Sequence, residues 1–87
     1  MSALDAFIEA AEKASQALAL AASDLLDVAK ADPESGWAEF ATEKADETAR
    51  LGAYWAIVAE RARQRRTRID AAARLSAAQT GTYKAGE

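Results

Sequence analysis

The chain has 87 residues, contains neither cysteine nor histidine, and carries a net charge of −3 at pH 7. This length allows one small domain, the lack of cysteine excludes disulfides, and the lack of histidine removes the most common general base and metal ligand. Alanine supplies 25 of the residues in an apolar fraction of 51%, so one copy can build only a thin core, and chains of this size often depend on oligomerisation.

The charges are divided unevenly along the chain. Residues 1–49 contain eleven acids and three lysines, a balance of −8, whereas residues 50–87 contain eight bases and three acids, a balance of +5. Opposite charges favour packing of the two halves against each other. No run of apolar residues is long enough to span a membrane, and the N-terminus does not have the pattern of a signal peptide. We therefore expect a cytoplasmic protein.

A first helix is predicted over residues 3–31. Ser2 is a favourable N-cap residue, and Asp5 completes a short capping box. From Leu4 onwards, apolar and small residues recur at alternating steps of four and three, which is typical of a packed seam between helices. The members of this seam are Leu4, Ile8, Ala11, Ser15, Leu18, Ala22, Leu25 and Ala29. A second row beside it consists of Ala3, Ala10, Ala14, Ala17 and Ala21.

A second, longer helix is predicted over residues 33–79. Asp32 is a favourable N-cap residue and Pro33 suits the first helical position. The residue before a proline avoids the helical conformation, so helix 1 should end near Ala31. A connection this short indicates antiparallel neighbours. Helix 2 also has a row of small residues through which we expect it to approach helix 1 closely. This row consists of Ala41, Ala45, Ala49, Gly52, Ala56 and Ala59.

The continuity of helix 2 is open at two positions. Gly52 is either a site of close packing or a break, and Thr67 with Asp70 has the spacing of a second capping box. A break would give a three-helix bundle. If helix 2 is continuous, residues from about 66 to 79 extend past helix 1. Residues 80–87 lack periodicity, so we predict a helical domain over 1–79 and a flexible tail over 80–87.

Seven residues of helix 2 are candidates for binding a partner. They are Tyr54, Trp55, Arg61, Arg63, Arg65, Arg66 and Arg68. Arginine pairs bidentately with carboxylates, and aromatic and arginine side chains are frequent at interface hot spots. We expect this group to dock on an acidic surface of a second copy or of a target protein. Alternatively, the arginines pair with Asp5 and Glu9 and hold the hairpin together. An arginine-rich helix also suits nucleic-acid phosphates, although the acidic net charge opposes this.

No combination of residues indicates catalysis or a cofactor. Glu39, Glu43, Asp46 and Glu47 share part of a helical face, but di-metal sites in helical bundles use Glu-x-x-His pairs, and the chain has no histidine. The same absence leaves the serines and threonines without a partner base, and there is no glycine-rich phosphate loop. We therefore predict a protein that is not an enzyme, with no catalytic, cofactor-binding or metal-binding residues.

The chain resembles the WXG family of small secreted helical hairpins in two features. A tryptophan, Trp37, stands at the turn, and Tyr83 and Glu87 fit the family's C-terminal Tyr-x-x-x-Asp/Glu export signal. The turn itself reads Ser35-Gly36-Trp37-Ala38-Glu39, so the Trp-x-Gly of the family is missing. What the resemblance implies is an exported protein that pairs as a dimeric four-helix bundle.

The sequence therefore predicts an all-α fold, an antiparallel helical hairpin with a long second helix, assembled as a dimeric four-helix bundle. The function we expect is that of a small interaction module that occludes or bridges a protein partner, as accessory and inhibitor proteins of phages and mobile elements do. A WXG-like secreted hairpin and an arginine-rich nucleic-acid binder are the alternatives.

Overall fold

The computed structural model describes residues 2–85, with side chains described for residues 2–79. It is an antiparallel hairpin of two α-helices, α1 (Ala3–Ala31) and α2 (Gly36–Ala85), and the described residues form no strand. The predicted all-α hairpin with a long second helix is confirmed. Helix α2 runs through Gly52 and Thr67 without interruption, so the three-helix alternative does not occur.

The start of α1 is fixed by Ser2. Its hydroxyl oxygen accepts a hydrogen bond from the backbone N–H of Asp5 at 3.1 Å, and the hydroxyl donates to the Asp5 carboxylate at 3.0 Å. This arrangement satisfies a backbone donor that the first turn of a helix otherwise leaves without a partner. The predicted capping box is therefore present, and α1 has the predicted bounds.

The start of α2 differs from the prediction, which placed it at Pro33. The backbone N–H of Ser35 donates to the carbonyl of Asp32 at 3.1 Å, so Pro33 and Glu34 form the turn that reverses the chain. Proline is favoured early in such turns because its φ is already fixed. The helix begins three residues later, at Gly36.

The C-terminal end of α2 also differs from the prediction. The helix continues to Ala85, whereas we expected a non-helical tail from residue 80. No proline occurs in residues 80–85 to remove a backbone donor and stop the helical hydrogen bonding. Gly86 and Glu87 lie outside the described residues.

The two helices meet along a seam of small residues. All eight predicted seam residues of α1 are buried or half-buried, which confirms that part of the pattern. The seam of α2 follows the same alternation of three and four. It includes Ala41, Ala45, Gly52 and Ala59 of the predicted row, but not Ala49 and Ala56. Its members are Ala38, Ala41, Ala45, Thr48, Gly52, Trp55, Ala59, Ala62 and Arg66. A row of residues that repeats every 3.5 positions on average stays in contact with the neighbouring helix. Ala49 and Ala56 lie outside that row and are exposed.

The two backbones approach each other closely at Gly52. The Ser15 hydroxyl donates to the Gly52 carbonyl at 2.9 Å. A Cβ atom built on Gly52 would lie 3.3 Å from both the Leu18 Cβ and the Ser15 carbonyl oxygen, and 3.5 Å from the Ala19 nitrogen. The prediction that Gly52 is a site of close packing is therefore confirmed.

Helix α2 is longer than its partner can cover. Arg66 hydrogen-bonds to Asp5 near the start of α1, and every side chain from residue 67 to residue 79 is exposed. We call residues 67–85 the overhang. At 1.5 Å per residue it extends about 28 Å beyond the paired part of the hairpin.

Candidate protein-binding surface

The seam separates the hairpin into two sides, one of which is charged. On this side the Arg63 guanidinium forms an ion pair with the Glu12 carboxylate and a second one with Glu60 at 3.1 Å. Further along, the Arg66 guanidinium donates to the Asp5 carboxylate at 2.9 Å. The pairs to Glu12 and Asp5 join the basic part of α2 to the acidic part of α1, as the division of charge along the chain predicts.

The partners in these pairs differ partly from those predicted. We expected Arg61 and its neighbours to meet Asp5 and Glu9, but Glu9 pairs with Lys13 one turn away at 3.2 Å. Arg66, and not Arg61, lies beside Asp5. The reason is the register, since the turn uses Asp32 to Ser35 and shifts α2 by several residues relative to α1.

The hydrogen bond from Arg66 affects the ionisation of Asp5. The Arg66 guanidinium, followed by the Ser2 hydroxyl, lowers the pKa of the Asp5 carboxyl below its usual value, because both hydrogen bonds favour the charged form. The same bond to Asp5 raises the pKa of Arg66. This pair fixes the N-terminus of α1 against α2 at the point where the overhang begins.

Three of the five candidate arginines have no such role. Arg61, Arg65 and Arg68 are exposed, and none of the ion pairs within residues 2–79 includes them. They follow one another at steps of four and three, so they lie on one face of α2. We call them the arginine stripe. Tyr54 lies on the same face, seven residues before Arg61, and is 57% exposed.

The adjacent rings of Tyr54 and Trp55 have different surroundings. Trp55 is half-buried in the seam, and its ring contacts that of Tyr54 edge to face, with centroids 5.7 Å apart. The seven candidate residues therefore fall into two groups. Arg63, Arg66 and Trp55 are used within the hairpin, whereas the arginine stripe and Tyr54 share one exposed face.

The side of the hairpin opposite the pairs of Arg63 and Arg66 is mostly apolar, which we did not predict. Its charges are Asp24 on α1, the Lys44–Glu47 ion pair on α2, and Arg61 and Arg65, which continue the same rows of α2 beyond Val58. Glu12 and Arg63, on the charged side, each directly follow a seam residue. Phe7 and Leu51 each directly precede a seam residue. They, and the residues three or four positions from them, therefore lie on the other side of the seam. We call this surface the apolar face. Its members are Ala3, Phe7, Ala10, Ala14, Ala17, Ala21 and Val28 on α1, and Trp37, Phe40, Leu51, Tyr54 and Val58 on α2.

Six of the eleven exposed large apolar side chains lie on this face, namely Phe7, Val28, Trp37, Phe40, Leu51 and Tyr54. Trp37 is 70% exposed and stacks edge to face on Phe40 at 5.7 Å. Two more of the eleven, Ile69 and Leu75, lie in the overhang. The signal in the sequence was the second alanine row of helix 1, which we noted but did not place on the same side as the aromatic residues of helix 2.

The remaining features of the surface carry no chemistry that we can assign. No group of three or more potential metal ligands is present in the part of the chain that the structure describes. An open groove of about 530 Å³ lies beside the turn, and its lining includes Leu26, Pro33 and Thr42. Tyr83 and Glu87, which carry part of the WXG resemblance, lie outside the residues whose side chains are described.

Comparisons with known proteins add no further constraint. Family models, curated proteins and solved structures were compared with the chain, and none matches it. Neither described helix contains an apolar stretch long enough for a membrane crossing. The arguments for function therefore rest on the surface of the hairpin.

Proposed function

We propose that the protein is a small, non-enzymatic interaction module that binds a protein partner through the arginine stripe and Tyr54. The observation that supports this is the contrast among the arginines of α2. Arg63 and Arg66 are paired with α1, whereas Arg61, Arg65 and Arg68 are exposed and without an ion pair inside the hairpin. An arginine that no internal carboxylate holds is free to pair with one on another molecule.

The chemistry of the stripe indicates the kind of surface that it fits. A row of three guanidinium groups next to a tyrosine ring suits a partner that offers carboxylates beside an apolar pocket. The row spans the boundary between the paired part of α2 and the overhang, so a partner can bind around a helix that projects into solvent. Binding there covers a surface of the partner, or links the partner to a second molecule bound elsewhere on the hairpin.

A module of this kind fits the accessory and inhibitor proteins of phages and mobile elements, which act in the cytoplasm by covering a target. This is an argument from size and plainness alone. Nucleic acid is the less favoured ligand of the same arginines, since the whole chain carries a net charge of −3 and repels polyanions at long range.

The experiment uses two matched charge reversals. The wild-type chain captures a partner from cells of the source organism, and the purified partner is then titrated with the wild type, with Arg65→Glu and with Arg74→Glu. Both reversals change the charge equally, and both sites are exposed on α2, but Arg74 lies on a different face. We expect Arg65→Glu to raise the dissociation constant at least about tenfold, equivalent to about 1.4 kcal/mol. Arg74→Glu should leave it within about twofold.

Two results would overturn the proposal. One is an Arg65→Glu variant that keeps its helix content by circular dichroism and binds the partner as the wild type does. The other is tight binding of a labelled RNA or duplex DNA oligonucleotide that weakens steeply with salt, which would assign the stripe to phosphate contacts.

A further inference from the structure

The apolar face leaves six large apolar side chains in solvent along the paired part of the hairpin. We propose that a second copy of this chain covers the apolar face and that the two copies form an antiparallel four-helix bundle. In this bundle α2 of each copy lies on α1 of the other, and the two turns lie at the same end. The inference goes beyond the proposed function, because it concerns the assembly of two copies; the two surfaces share Tyr54, but the dimer does not require the arginine stripe.

The size of the face matches what a stable dimer needs. Helix α1 has 29 residues, so the paired region is about 44 Å long, and two helices with axes 8–10 Å apart are about 18–20 Å wide. The face therefore offers about 800 Å² per copy, which is the usual size of a specific protein interface. Apolar patches of this extent on soluble proteins mark interaction sites.

The two halves of the face differ in a way that makes it self-complementary. The α1 half consists mostly of alanines and is shallow, whereas the α2 half carries the rings of Trp37, Phe40 and Tyr54 together with Leu51. When α2 of one copy lies on α1 of the other, Leu51, Tyr54 and Val58 meet alanines over the middle of the face. If each helix instead lay on its own counterpart, two rows of alanines would meet on one side and two rows of rings on the other.

The first test is the mass and the thermal midpoint of the whole chain. We expect twice the monomer mass of 9.2 kDa by light scattering at micromolar concentration, and a midpoint that rises with protein concentration. Ala17→Arg puts a charge in the centre of the face and should weaken dimerisation at least about a hundredfold. Ala53→Arg, at an exposed site of α2 outside the face, should leave it unchanged. A wild-type chain that stays monomeric with a constant midpoint would overturn the inference.

The second test separates the two orientations. The chain has no cysteine, so Glu34→Cys introduces a single spin-label site in the turn. With both turns at one end, the labels should be less than about 30 Å apart, since neighbouring helices are about 10 Å apart. A dimer with turns at opposite ends gives a separation near the hairpin length of about 44 Å, and that result would refute the arrangement. Neither test changes an arginine of the stripe, so its outcome is independent of the proposed function.

Discussion

Helix α2 has two parts that differ in what covers them, and the comparison shows what decides the structure of this chain. Residues 36–66 are packed on α1 through a seam of small residues, whereas the overhang, residues 67–85, has every described side chain exposed. The seam pattern does not stop at Arg66, because Ile69 and Ala73 continue the steps of three and four. Periodicity therefore predicts which face of α2 can pack, but the length of α1 decides how much of it does.

The two parts should also differ in stability. In the paired part, backbone hydrogen bonds are supported by burial of Ala45 and Ala59, which are 2% and 1% exposed. The overhang depends on helix propensity, and isolated helices of about 12–15 residues are marginal in water. We expect the overhang to open locally at a small free-energy cost while the paired part opens only with the whole hairpin.

Proline substitution gives the largest expected contrast between the two parts. Proline in a helix interior removes a backbone donor and clashes with the preceding turn, which costs about 3 kcal/mol or more. Ala45→Pro breaks the seam, and we expect it to lower the free energy of unfolding of the hairpin by at least that amount. Ala73→Pro should reduce helix content while the hairpin keeps its stability to within about 0.5 kcal/mol. Urea unfolding followed by circular dichroism measures both.

The contrast is wrong if the two prolines destabilise the hairpin equally. Such a result would mean that the overhang is held by contacts as strong as those of the seam, for example in an assembly that the single chain does not show. Repeating the measurement at several protein concentrations would identify that case, since a variant that loses assembly contacts of the overhang would show a weaker concentration dependence of its midpoint than the wild type.

A smaller effect is expected from overpacking at Gly52, where the two backbones are close. Gly52→Leu introduces a side chain whose Cβ alone meets Leu18 and the backbone of α1 at 3.3 Å. Because backbone atoms cannot give way locally, α1 must move, and we expect a loss of about 1–3 kcal/mol that outweighs the gain of about 1 kcal/mol from replacing a helical glycine.

The matched control is Ala53→Leu, one residue further along and exposed. It adds the same side chain outside the seam and should change stability by less than about 0.5 kcal/mol. If Gly52→Leu were as stable as the wild type, the helices would not approach each other through this position.

Much of the fold could be predicted because its signals are local. The bounds of α1 follow from Ser2 and Pro33, and its seam follows from regular spacing. The seam of α2 was predicted correctly at Ala41, Ala45, Gly52 and Ala59 but incorrectly at Ala49 and Ala56, because small residues were chosen by type. Ala49 and Ala56 are small but exposed, whereas Trp55, a large residue, occupies a seam position and is half-buried. A seam in a two-helix hairpin has open edges, so a large side chain can lie across it with one edge in solvent.

The surface could be predicted less well, because ion pairs depend on register. A shift of about one helical turn decides whether Arg61 or Arg66 lies beside Asp5, and the short turn between Asp32 and Ser35 sets that shift. The sequence identified the basic group but not which of its members are paired. The apolar face was missed because it requires the relative rotation of both helices, which the position of Glu12 beside Arg63 reveals.

The smallest effect concerns the boundary between the two parts, where Arg66 binds Asp5. The hydrogen bond lowers the pKa of the Asp5 carboxyl in the folded chain, so the pair stabilises the hairpin fully at pH values above the unfolded aspartate pKa of about 3.9. As the pH falls below that value and through the lowered pKa of the folded state, the carboxyl is protonated and the stabilisation is lost. Because both side chains are partly exposed, salt should weaken the effect.

This prediction is measured by an NMR titration of the Asp5 carboxyl in the wild type and in Arg66→Gln. Removing the guanidinium removes the main cause of the lowered pKa, so the pKa of Asp5 should rise towards the ordinary value, held slightly below it by the Ser2 hydroxyl. Arg68→Gln, two residues further along in the overhang and without an ion pair, should leave the titration of Asp5 unchanged. If Arg66→Gln and Arg68→Gln gave the same curve as the wild type, the paired part of α2 would end before Arg66 and the overhang would be longer by at least one turn.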